Sequence, residues 1–95
     1  MKKAYLRVYS STLGSRLEVK ECLNSLREVI HWKHDLPQAY YIISEESAAT
    51  LTSLIREHFG GKGRFIITEI SDNKAGWLPR ETWYLLKHKI RKAKE

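Results

Sequence analysis

The sequence has little cysteine, no long apolar run and no clustered metal-ligand residues, and each shortage excludes a class of protein. The single cysteine, Cys22, excludes a framework of internal disulfides. No apolar run approaches the roughly 20 residues that a membrane-spanning helix needs, and Arg7 interrupts the stretch that a signal peptide would require. One cysteine and four scattered histidines give no zinc-ligand spacing. We therefore expect a cytoplasmic protein without membrane contact, metal or cofactor.

Basic residues outnumber acidic ones by 17 to 11, and the excess is concentrated at one end. The net charge is +6, and residues 87–95 hold five cations against one glutamate, which accounts for +4 of it. A basic tail suits phosphate backbones or an acidic protein surface. It is equally typical of a solvated helix end, where cations interact favourably with the helix dipole. Both interpretations of the tail stay open at this point.

The overall composition is typical of one small globular domain. We place this domain at residues 1–95, with a basic tail over 87–95. The chain has 95 residues, of which 42% are hydrophobic and 29% are charged. A domain of this size buries a modest fraction of its surface. Its stability should therefore be marginal or helped by a partner subunit.

Hydrophobic periodicity predicts strands and helices in the order β-α-β-β-α-β, followed by a terminal helix. Alternation predicts a strand over residues 3–9, and Ser15 with Glu18 forms a capping box before a helical stripe that runs to Ile30. Pro37-Gln38 predicts a hairpin turn, and Gly60-Gly61 predicts the end of a second helix. A last strand spans 64–70, and Pro79 begins the terminal helix. This order predicts an α+β, ferredoxin-like antiparallel sheet with two helices on one face.

The first strand carries the surface of greatest interest. Ala4, Leu6 and Val8 form an apolar side, which leaves Tyr5, Arg7 and Tyr9 as the other face. Aromatic rings beside a cation can stack on bases and meet phosphates, as RNA-binding sheets do. The alternative is that this face, together with Tyr41 of the third strand, packs against a second subunit.

Three other groups of residues have both a structural and a functional interpretation. Cys22 lies on the apolar stripe of the first helix, which indicates a small buried hydrophobe and not a reactive thiol. His31 and His34 lie three apart in a strand, so they should point to opposite faces and not converge on a metal. Trp77 and Trp83 are expected in the core, with an exposed aromatic docking site as the alternative.

Three stretches carry a resemblance to a known family. They are the hairpin from Trp32–Leu36 to Tyr41-Ile42-Ile43, the strand Phe65–Ile70, and Gly76-Trp77-Leu78-Pro79 followed by Trp83. In these stretches the chain resembles the SinR-like branch of the ferredoxin-like superfamily of CRISPR-associated protein two endonucleases and VapD toxins. The resemblance implies homodimers whose sheets pack together, and work on nucleic acid as a nuclease or as a DNA scaffold. We accordingly expect a microbial or phage protein.

The resemblance also marks where the chain departs from the family's nucleases. Those enzymes bind a divalent metal with an aspartate at the end of the first strand, and the matching position here is about Ser10. A serine hydroxyl is a poor substitute for a carboxylate as a Mg²⁺ ligand. No acidic residue occurs anywhere in residues 1–17, so a register slip cannot supply one. Enzyme activity stays uncertain, and the sequence favours its absence.

Three hypotheses for function follow. The first is a catalytically silent homodimer that binds DNA or RNA, with phosphates met by basic residues: Lys2, Lys3, Arg7, Lys62, Arg64, Lys87, Lys89, Arg91, Lys92 and Lys94. The second is a small protein-interaction module, either an adaptor or a mobile-element inhibitor, that binds a larger nucleic-acid enzyme. The third is a residual nuclease in which Glu69, Asp72 or Glu45 replaces the absent aspartate.

Overall fold

A four-stranded antiparallel sheet organises the chain in a computed structural model that describes residues 2–10, 14–71 and 74–89. The described elements are β1 (Lys3–Tyr9), α1 (Arg16–Ser25), β2 (His31–Leu36), β3 (Ala39–Ser44), α2 (Ala48–His58), β4 (Phe65–Glu69) and α3 (Arg80–His88). The strand order is β2-β3-β1-β4, and every neighbouring pair is antiparallel. The predicted α+β class with an antiparallel sheet is confirmed. Among the helices of the described ranges, none has the length and apolar character that a bilayer crossing demands.

Helix α1 begins as the sequence predicts but ends earlier. The Ser15 hydroxyl accepts from the Glu18 N–H at 3.2 Å, and the Glu18 carboxylate accepts from the Ser15 N–H at 2.8 Å, which completes the capping box. The helix stops at Ser25, although the apolar stripe continues to Ile30. The Ile30 N–H donates to the Ile43 carbonyl at 2.8 Å, so this segment is already extended for pairing with β3. Strand pairing therefore overrides helical periodicity at the end of the stripe.

The turns lie where proline and glycine predicted them. Pro37 and Gln38 connect β2 to β3, and Gln38 adopts a left-handed conformation with φ of 58°. Gly60 and Gly61 follow α2 with φ of 65° and 79°, values that side chains disfavour. The predicted hairpin and the predicted helix stop are both confirmed.

The sheet has two differently covered faces. On the first, which we call the helix face, Tyr5, Tyr40 and Ile42 pack into one core with apolar residues of α1 and α2. On the opposite, open face, Ala4 and Ile43 pack with Leu85 and Leu86 of α3. Because successive strand residues point to opposite faces, β3 is covered from both sides and every one of its residues is buried.

Candidate functional site

The residues expected to form a stacking or dimer face are buried in the domain itself. Tyr5, Arg7 and Tyr9 all lie on the helix face beneath α1 and α2, and Arg7 is 0% exposed. Tyr41 is also buried, but it lies on the open face with α3. The alternation of β1 was predicted correctly and the choice of its buried side was wrong. The two tyrosine rings bury more apolar area than alanine and valine do, and the helices cover them.

Arg7 is a desolvated cation inside the core. Its guanidinium carbon lies 5.5 Å from the ring centroid of Tyr9 and 5.2 Å from that of Phe65. Nε, Nη1 and Nη2 are buried and have no hydrogen-bond partner within the described part of the chain. Burial is the largest influence on the pKa of Arg7 and lowers it, while Cys22 and the two tyrosines Tyr9 and Tyr40 act in the opposite sense. Arg7 therefore cannot meet a phosphate in this structure.

The other predicted phosphate contacts do not form one patch. Lys2 and Lys3 lie where β1 begins, whereas Arg64 lies beside the end of β1, its carbonyl accepting from the Ser10 N–H at 2.9 Å. These two ends are separated by seven strand residues, or about 20 Å. Lys62 is exposed in the turn before Arg64. The predicted set is thus divided between opposite ends of the sheet.

The basic tail is described only at its beginning. Lys87 is exposed in the last turn of α3, and Lys89 follows as its C-cap in a left-handed conformation. Cations at this end of a helix interact favourably with its dipole. Arg91, Lys92 and Lys94, which were also expected to meet phosphates, lie outside the described residues.

The residual-nuclease hypothesis needs a carboxylate near Ser10. Glu69 lies opposite Tyr5 in the β1–β4 pairing, at the far end of β1 from Ser10. Glu45 is exposed after β3, and Asp72 lies outside the described residues. In the described ranges, no three or more histidine, cysteine, aspartate or glutamate side chains gather closely enough to hold a metal ion.

Cys22 and the two β2 histidines lie where their patterns predicted. Cys22 is buried in the core of the helix face, and burial raises the pKa of its thiol. His34 stacks near Tyr40 on the helix face, with ring centroids 4.7 Å apart. His31 is paired with Ile43, a residue of the open face. The two histidines therefore point to opposite faces, as expected.

An apolar row crosses the open face beyond α3. Leu36, Ala39, Val8 and Ile66 are directly opposed in successive strand pairs, so their side chains share one face across all four strands. Leu36 is 42% exposed, Val8 43% and Ile66 63%. We call these four residues the apolar row. The sequence signal for it was the alternation of β1, which we had assigned to the core.

A groove of about 460 Å³ lies on the same face, between the sheet and the segment that leads into α3. Leu6 and Leu36 line it from the sheet, and Trp83 lines it from α3. Trp77 lines it as well and is 98% exposed, whereas Trp83 is half-buried against the α3 core. The expectation of a core residue was therefore wrong for Trp77, and the alternative, an exposed aromatic side chain, describes it.

No protein-family model, curated protein or solved structure matches this chain. Any function assigned to it rests on the chemistry of its own two faces.

Proposed function

We propose that this chain is a non-catalytic binding module that docks a protein partner on the open face of its sheet. The observation that carries the proposal is the apolar row, which runs on into a groove beside the exposed Trp77. Single exposed apolar residues are common on any protein surface. A contiguous group of them, in contrast, marks sites of interaction with other proteins. Tryptophan is also among the residues that contribute most to binding at protein interfaces.

The chemistry of the face favours a protein over a nucleic acid. Leu6, Leu36 and Val8 offer aliphatic contacts, and bases are recognised instead by ring stacking and polar edge contacts. The ring-and-cation set that suggested base stacking, Tyr5, Arg7 and Tyr9, is enclosed beneath the helices. This supports the adaptor or inhibitor hypothesis, with a larger nucleic-acid enzyme as one partner class.

Affinity capture with matched variants tests this proposal. The native chain should retain one protein at a fixed ratio from a nuclease-treated extract, and Ile66→Glu should lose it because a charge then lies in the apolar row. Leu17→Glu is the control, since Leu17 is 62% exposed on α1, away from the open face. Capture that survives Ile66→Glu, or that Leu17→Glu removes equally, would refute docking on the open face.

Nucleic-acid binding by a homodimer is the second candidate, favoured by the +4 charge of residues 87–95. A chain that makes several phosphate contacts should lose affinity for duplex DNA and RNA steeply as salt rises. Truncation after Leu86 should remove that affinity and leave the oligomeric state unchanged. An absence of binding at low salt would eliminate this candidate.

We also propose the ferredoxin-like arrangement and, with it, the likeness to the CRISPR-associated protein two superfamily. The order β-α-β-β-α-β, the antiparallel strand pairs and the packing of α1 and α2 on one face support it. Helix α3 on the open face is an addition to that pattern. A cytoplasmic location belongs to the same proposal, because one buried cysteine needs no oxidising compartment.

A further inference from the structure

We infer that the partner of the open face is an acidic, apolar protein segment. It would place a large apolar side chain in the groove and carboxylates beside Lys33 and Lys74. This inference rests on the proposed docking function and adds to it the chemistry of the partner.

The groove sets the apolar part of that chemistry. Its volume of about 460 Å³ falls in the range of binding pockets and has room for more than one large side chain. Leu78 and Ile70 line it together with Leu6, so an occupant replaces water against aliphatic side chains. The indole of Trp77, which is 98% exposed, would lose water to the same occupant. A side chain such as leucine or phenylalanine fits this lining.

The charges around the groove determine the polar part. Lys74 is the charged residue that lines it, and no carboxylate belongs to its described lining. One donor of the Lys74 ammonium reaches the Ser71 carbonyl at 3.2 Å, which leaves donors for an incoming carboxylate. Lys33 is paired with Tyr41, a lining residue, and so lies on the same face. The net charge of +6 attracts an acidic segment over a longer range.

A second copy of the chain fits these charges less well. Two copies that met through this face would bring two charges of +6 together. A two-fold interface uses the same patch on both subunits, so Lys33 and Lys74 of each copy would lie in one interface, and the described groove lining offers them no acid. Like charges placed together reduce affinity. The observations therefore favour a partner of opposite charge.

A matched pair of synthetic peptides tests the inference. Both have roughly 12 residues and the same leucine and phenylalanine positions, and the remaining positions are all glutamate in one and all lysine in the other. Calorimetric titration at low salt should give roughly tenfold or tighter binding for the glutamate peptide. The difference should shrink at about 0.5 M salt, where the Debye length falls below about 5 Å.

Variants separate the two parts of the inference. Lys33→Glu should weaken binding of the glutamate peptide roughly tenfold. Arg27→Glu makes the same change in net charge at a side chain that is 96% exposed outside the groove, and it should have little effect. Trp77→Ala should weaken binding of both peptides, whereas Leu17→Ala should weaken neither.

Three results would overturn the inference. Equal binding of the two peptides at low salt would remove the acidic requirement and leave apolar docking intact. If neither peptide bound, the inference of an acidic, apolar segment would be refuted. The affinity capture with Ile66→Glu would still test the docking function separately. A concentration-dependent dimer of the native chain that Ile66→Glu dissociates would assign the open face to a second copy.

Discussion

Replacement of Arg7 with methionine should stabilise the folded chain, because the native side chain buries a charge for which the described residues supply no hydrogen-bonded counter-ion. The guanidinium is 0% exposed and has no hydrogen-bond partner in the described segments. The free-energy cost of removing one ion from water into a protein interior is on the order of 5 kcal/mol once the surroundings have relaxed. The two ring contacts, with Tyr9 and Phe65, offset about 1–2 kcal/mol each. Methionine is flexible and fills irregular apolar space, so it keeps most of the packing.

The expected net gain for Arg7→Met is about 1–3 kcal/mol in the free energy of unfolding. For a domain of this size the corresponding rise in Tm is roughly 5–15 °C. Urea denaturation followed by circular dichroism measures the free energy directly, and an unchanged m-value shows that the folded state is equally compact. Salt should not alter the gain, because a buried charge is screened far less than an exposed one.

Two further substitutions at Arg7 separate charge from volume. Arg7→Ala also removes the charge, but it leaves a cavity whose cost of about 2–4 kcal/mol cancels the gain. Arg7→Lys keeps a buried positive charge, now on an ammonium group, and loses the planar stacking of the guanidinium on the rings. It should therefore destabilise the fold. If Arg7→Met lowered the free energy of unfolding by more than about 1 kcal/mol, the guanidinium would be paired in solution and the reasoning refuted.

Three other predictions concern pH, the hairpin turn and a helix cap. Burial raises the pKa of the Cys22 thiol above its usual 9.0 and that of Tyr40 above 10.0. The contribution of these two groups to stability is therefore complete below their unfolded-state pKa values and is lost as pH rises through their higher folded-state pKa values. Tm should accordingly fall as pH is raised through the alkaline range, and Tyr40→Phe should make the fall less steep. Gln38→Gly should stabilise the hairpin by about 0.5–1 kcal/mol in urea melts, because Gln38 has φ of 58°, and a loss would contradict this account of the turn. Ser15→Ala should cost about 1 kcal/mol through loss of the cap to the Glu18 N–H, and an unchanged melt would show that the cap contributes nothing.

Local sequence chemistry predicted the elements well, because each signal acts within a few residues. The capping box at Ser15, the turn at Gln38 and the glycine stop after α2 all depend on neighbours in the chain. The end of α1 was predicted wrongly because Ile30 fits both a helical stripe and a strand partner for Ile43. Only the tertiary pairing decides between the two.

The faces of the sheet were harder to predict than its strands. Alternation separated Leu6 and Val8 from Arg7, but it does not say which side the helices cover. The usual rule that arginine stays exposed unless it is paired pointed to the wrong side. The prediction that Trp77 lies in the core followed from the general rule that aromatic residues dominate small cores. That prediction was wrong, because the side chain is 98% exposed. The candidate site therefore emerged only once the two faces were known.

Helix α3 limits what the open face can do. It occupies the end of that face near Ala4 and Ile43, where Leu85 and Leu86 fill the space that another sheet would need. Packing of two whole sheets would require α3 to leave, which would expose both leucines to water at about 1.5–3 kcal/mol each. A partner that uses the apolar row and the groove alone displaces nothing. Because the available surface is only part of one face of a small domain, we expect a contact smaller than a standard stable interface. The partner should therefore associate reversibly, with an affinity that depends on Trp77 and on the charges beside it.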